Sequence, residues 1–226
     1  MHRVQKLLSN YGYCSRRKAE ELIQQGRVKV NDRLITIGDK ATEQDNIFVD
    51  NKLINRQRKV YLIFNKPVGC VTALTDPKYK TVMDYIKLKE RVFPIGRLDY
   101  NTSGLLLLTN DGDFANNIMH PRYEIKKTYM VKIDKPITED KIEEIEKGVN
   151  LEFGKTSPAK VKKYMPNLLE IIIHEGRNRI VRRIFEELGF KVLSLERIRI
   201  GNLALGNLKQ GTYKTLTKKD TRKIFE

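Results

Sequence analysis

Several things are scarce in this sequence, and each scarcity excludes something. There are two cysteines, Cys14 and Cys70, far apart and outside any CxxC spacing. That count excludes a disulfide scaffold and a thiolate zinc site, and it fits a reducing, cytoplasmic compartment. The three histidines (His2, His120, His174) are too scattered to build a metal cluster. Nowhere do about 18 apolar residues follow one another, so no segment reads as a membrane span. The opening MHRVQKLLSNYGYCSRRK is charged and periodic, and reads as folded protein rather than a secretory leader. No GxGxxG follows a strand pattern, which removes a Rossmann-type cofactor loop. Gly154-Lys155-Thr156 resembles the end of a phosphate loop, but the glycine needed five residues earlier is Val149, so no nucleotide cofactor is expected. Acidic residues are short as well: 28 stand against 44 Lys and Arg, a net charge of +16.

That last deficit is the first positive clue. A strongly basic folded chain points to a polyanion, because Lys and Arg gain free energy by displacing counterions condensed on phosphates. Acidic membrane surfaces would instead call for an amphipathic helix with large apolar residues opposite the basic face. Residues 1–58 carry +5 and the remainder +11, so both parts are basic in their own right. With 226 residues, 40% of them hydrophobic, there is material for a small module joined to a medium domain.

Val4, Leu7, Leu8 and Tyr11 fall on one face of a short helix. Ser15 stands where an N-cap belongs, with Ala19, Leu22 and Ile23 on the next apolar face and Gly26 as its stop. Val28 and Val30 then alternate with charged residues before an Asn31-Asp32 turn, and Ile47 to Val49 reads as another strand. Residues 50–58 are polar and read as a linker, giving domains at 1–49 and 59–226. In the second domain strands are expected at 60–64, 105–108, 128–133, 168–174 and 192–200, with helices at 137–147 and 180–188. This mixed order implies an α+β fold with a largely antiparallel sheet. No extended heptad or exposed apolar strand argues for a dimer, and a monomer is expected.

Basic residues gather in the first module: Arg3 and Lys6 on the polar side of the first helix, Arg16, Arg17 and Lys18 opening the second, Arg27 and Lys29 after it. A helix N-terminus beside such a cluster suits phosphate. The stretch RVQKLLSNYGYCSRRKAEELIQQGRVKVND resembles the alpha-L RNA-binding domain, the type named after ribosomal protein four of the small subunit. The resemblance implies that these seven residues contact RNA.

In the second domain, Arg97 and Asp99 precede the polar turn Tyr100 to Gly104 and a fully apolar strand. A carboxylate entering a buried strand needs hydrogen bonds or a cation, and a turn-capping role explains it as well as chemistry does. The whole stretch GRLDYNTSGLLLLTNDG resembles the signature of pseudouridine synthases acting on ribosomal RNA, specifically the branch holding the small-subunit enzyme RsuA and the large-subunit enzyme RluB. HPRYEIKKTYMVKI, KTSPAKV, HEGRNRIVRRIFEELG and LERIRIGNL continue the similarity in the family's order. It implies a catalytic Asp99, a Tyr129 that stacks on uracil, and an Arg182 that pairs with the aspartate. It also implies substrate contacts from Arg97, Arg177, Arg179 and Leu195, with no metal and no cofactor. Ile180 stands where the family usually has Gln, and Lys214 where Arg is frequent. The expected partner is ribosomal RNA or a pre-ribosomal particle, and the motif texts sit closer to the large-subunit type. A non-catalytic ribosome-assembly factor on the same scaffold is the rival reading.

Overall fold

The computed structural model describes residues 1–226, which divide into two compact units. One comprises Met1–Val60, Leu88–Phe93 and Thr109–Phe114; the other comprises Tyr61–Lys87, Pro94–Leu108 and Ala115–Glu226.

The first unit opens with helices α1 (Val4–Asn10) and α2 (Arg16–Gln24). The Ser15 hydroxyl accepts from the Lys18 amide at 3.1 Å, the N-cap expected of it. Gly26, at φ 68°, ends α2: its amide donates to Ile23 and that of Arg27 to Leu22, both at 3.0 Å. A four-stranded sheet follows, made of β1 (Val28–Val30), β2 (Arg33–Leu34), β3 (Ile47–Val49) and β4 (Lys52–Leu53). They pair antiparallel in the order β2-β1-β3-β4. Asp50 and Asn51, both at positive φ, form the tight turn between β3 and β4, so the polar stretch that reads as a linker begins as a hairpin. Val4, Leu7, Leu8, Tyr11, Ala19, Leu22 and Ile23 pack on Val28, Ile47 and Val49 in one core.

Seven strands make the main path of the second unit's sheet. They are β5 (Tyr61–Lys66), β6 (Ser103–Thr109), β7 (Lys127–Ile133), β8 (Lys160–Met165), β9 (Leu168–Ile173), β10 (Val192–Ile200) and β11 (Tyr213–Thr215). In space they run β8-β9-β7-β10-β6-β5-β11. The pairs β8/β9, β9/β7, β7/β10 and β5/β11 are antiparallel; β10 and β6 are parallel. Every residue of β6 is buried, which explains its uninterrupted apolar run. At the parallel seam Arg197 lies opposite Gly104, and a Cβ on Gly104 would sit 2.3 Å from the Arg197 carbonyl oxygen. Only glycine fits there.

Helices α3 (Gly112–Met119), α4 (Glu139–Lys147), α5 (Ile180–Glu187) and α6 (Lys218–Arg222) complete the chain. The α+β class and mainly antiparallel sheet match the sequence reading. Several details differ: β5 extends through Asn65 and Lys66, which read as its stop, and helices α3 and α6 and strands β8 and β11 are additional to the elements expected. Of the two thiols, Cys70 is buried and Cys14 is half-exposed. No helix is long and apolar enough to cross a membrane.

Candidate active site

A cleft of about 1040 Å³ opens in the second unit, and Asp99, Arg97, Tyr129, Leu195, Arg177, Arg179 and Ile180 all line it. The loop carrying Asp99 is fixed through its main chain. The fully buried Lys66 ammonium donates to the carbonyls of Pro67, Asp99 and Thr102 at 3.0, 3.0 and 2.9 Å. Thr72 accepts from the Leu98 amide and donates to the Leu98 carbonyl. Arg182 donates to Asn101 at 2.8 Å and to Val192 at 3.3 Å. Three side chains thus clamp a five-residue segment while the Asp99 carboxylate is left to the cleft. Burial lowers the Lys66 pKa; the nearby Cys70 and Asp99 oppose that shift.

Arg182 is the one expected catalytic residue that does not line the cleft. It lies behind the loop and is bonded to carbonyls rather than to the carboxylate. Its charge still reaches the site: burial and then Arg179 lower its pKa, whereas Asp99 and Glu186 raise it. Arg179 enters α5 in a left-handed conformation, φ 52°, a strained geometry for a side chain with a Cβ, and bonds Glu186. Arg177 is held at 2.9 Å by Glu175 and donates to the Phe153, Gly154 and Lys155 carbonyls.

Two further cleft residues went unnoticed in the sequence. Arg197 is buried, with Nε on the Leu105 carbonyl at 2.8 Å and Nη1 3.5 Å from the Tyr129 hydroxyl. Its guanidinium lies 6.0 Å from the Tyr129 ring centre, and its Nη2 is buried without a partner. Lys127 donates to the Ile125 and His174 carbonyls at 3.1 and 2.9 Å; burial, then Arg197, lowers its pKa to about 8. Strand period could have found Arg197, since it stands two residues beyond Leu195 and faces the same way.

In the first unit Arg3, Arg16 and Arg17 are exposed. Four of the other basic residues have partners: Lys6 with Asp113 of the same unit at 2.7 Å, Lys18 with Glu21, Arg27 with Asp50, and Lys29 with Asn51. Lys214 lies in β11, opposite Ile63 of β5.

Comparison with known proteins matches two families in succession along the chain. The RNA pseudouridylate synthase family matches residues 60–187, and the S4 domain matches residues 2–47. Ribosomal large subunit pseudouridine synthase B of Bacillus subtilis (strain 168) is 45% identical, over 99% of this chain and 96% of its own. The dual-specificity RNA pseudouridine synthase RluF of Escherichia coli (strain K12) is 38% identical, over 99% and 78%. A solved pseudouridylate synthase superposes with a TM-score of 0.74 at 31% identity, over 99% of this chain and all of that one (100%). With a carboxylate on a clamped loop, a tyrosine and an arginine-rich rim in one cleft, and these matches along its length, the chain belongs to the RNA pseudouridylate synthase family and carries an S4 domain at its N-terminus.

Proposed function

We propose that this chain converts one uridine of ribosomal RNA, in the large subunit, to pseudouridine, with Asp99 as the catalytic carboxylate. The observation that carries the reading is the Asp99 loop: three side chains hold its main chain and leave the carboxylate on a cleft wall shared with Tyr129 and Leu195. The name of the Bacillus subtilis relative supports the large-subunit RNA as substrate. That substrate puts the work in the cytoplasm.

The chemistry is an isomerisation and balances without a co-reactant. The C1′–N1 bond breaks, uracil turns in the cleft, and C1′ bonds to C5. The proton leaving C5 is matched by one gained at N1. Attack on C1′ and proton removal from the ribose both require one ionised carboxylate in a water-poor pocket. Tyr129 offers a flat face to the uracil, Leu195 an apolar wall, and Arg182 a positive charge behind the loop. Arg97, exposed on the rim, is placed to take RNA phosphate or the space a flipped uridine vacates; Arg177 and Arg179 shape the opposite rim loop. Residues 1–49 supply RNA affinity through Arg3, Arg16 and Arg17, with Lys6, Lys18, Arg27 and Lys29 beside them, and residues 59–226 supply the reaction.

The test is carbodiimide mapping of pseudouridine in rRNA from cells lacking the protein, complemented with wild type or with Asp99→Asn. One site lost, restored by wild type and not by the variant, is the expected result. Restoration by both removes Asp99 from the chemistry. No change at any rRNA site would favour the assembly-factor reading.

A further inference from the structure

A second aromatic surface lies outside the uridine cleft. Asn150–Leu151 and Gly154–Lys155 form a two-stranded hairpin whose turn carries Glu152 and Phe153. Phe153 is 64% exposed, the most exposed aromatic ring of the chain, at a tip where burial has no claim on it. Its ring is nonetheless not loose. The Arg183 guanidinium, on α5, lies 4.7 Å from the ring centre. Arg177 bonds the carbonyls of Phe153, Gly154 and Lys155, so the tip is pinned to the segment that leads into α5. Arg177 also lines the cleft that holds Asp99. The platform is therefore joined to the reaction site by one side chain.

An exposed ring with a cation on one side and solvent on the rest is poor design for solubility and good design for stacking. Unpaired bases stack on aromatic rings whatever their identity, and arginine beside the ring attracts the phosphates that accompany them. A ring already held by Arg183 and a tip already held by Arg177 give up little freedom when a base arrives. Arg179, Arg183 and Lys155 add positive charge at this end of the cleft, against Glu152 and Glu186.

We propose that Phe153, backed by Arg183, is a stacking site for an unpaired nucleobase of the substrate RNA that flanks the target uridine. The inference rests on the RNA substrate of the preceding section and adds to it a contact that selects which uridines are accepted: only those with an unstacked neighbour within reach of the hairpin. The site takes a base of any identity, so it reads RNA shape rather than sequence.

The test uses the full-length protein and the rRNA fragment around the mapped uridine, with single abasic nucleotides placed one at a time on either side of it. Wild type is expected to lose affinity roughly tenfold at one abasic position. Phe153→Ala is expected to show the same loss on the intact fragment and no further loss at that position, whereas Phe153→Trp restores the dependence. The single-turnover rate at saturating enzyme should be the same for all three, because the ring does not touch the reacting atoms. Thermal unfolding at an unchanged temperature shows that the exposed substitution leaves the fold intact. If Phe153→Ala binds the intact fragment as wild type does, or if every abasic position costs it the same as wild type, the stacking site is wrong. If the abasic dependence is present but Asp99→Asn forms pseudouridine on the intact fragment as fast as wild type, the platform stands and the reading of Asp99 as the catalytic carboxylate falls.

Discussion

Lys66 is a lysine with no exposed surface whose three donors are all spent on main-chain carbonyls of the Asp99 loop and its approach. Lys66→Met keeps the length and removes the donors, leaving buried carbonyls unpaired at a cost on the order of 3 kcal/mol. Urea unfolding should register that loss. The single-turnover rate should fall further than RNA affinity does, since the loop that aims the carboxylate is released. Lys127 makes a different prediction, one in pH. Its folded pKa of about 8 lies below the ordinary 10.5, so between those values the unfolded chain binds more protons and stability rises with pH. Below that window the amine is charged in both states and the burial cost is constant. The stability of wild type relative to Lys127→Met should therefore climb from pH 8 to pH 10 and stay level from pH 6 to pH 7.5. Neither lysine was legible beforehand. Asn65-Lys66-Pro67 has the composition of a turn, and two of the three carbonyls that hold Lys66, those of Asp99 and Thr102, lie more than thirty residues away, about which local pattern is silent. The family signature decides for Asp99 and Tyr129; by residue context alone, a turn cap explains the one as well as chemistry does, and the other reads as core.

At the scale of elements, β6 and β10 carry the consequence of one glycine. A methyl on Gly104 collides with the Arg197 main chain, and φ 102° is itself unfavourable for any other residue. Gly104→Ala should cost about 3 kcal/mol or more in urea unfolding, and the strain falls between Asp99 and the buried Arg197. The first unit offers a milder test. Ser15→Ala removes the cap of α2 and should lower stability by about 1 kcal/mol, read as a lower unfolding midpoint. Elements with strict periodicity or an unbroken apolar run are readable from the sequence: the Val4, Leu7, Leu8 face of α1, the capped α2, and the buried LLLL run of β6. Helix α3 was not, because GDFANNIM buries only Ala115 and Ile118 and offers too few apolar positions to set a period. The β5 end was misjudged for the reason given above, a lysine buried by tertiary contact.

Over the whole molecule, the excess of positive charge sets how binding answers to salt. If Arg16 and Arg17 each neutralise a phosphate, Arg16→Gln combined with Arg17→Gln should flatten the plot of log affinity against log salt by about 1.5, with the rate at saturation unchanged. Filter binding from 50 to 300 mM KCl (roughly the range where the slope is measurable) checks it. The two units also differ in how they are closed. The first buries its core among residues 4–54, close together in the chain. The second joins its first strand, β5, to its last, β11, at the end of the sheet. Contacts of that span are slow to form. During synthesis the first module can fold while most of the sheet is still to be made, and β5 has to wait for Tyr213–Thr215 to reach it. A chain interrupted before that point would be no half-enzyme: it would present the open edge of Leu62–Phe64 to any other unfinished strand, a seed for aggregation attached to an intact RNA-binding head.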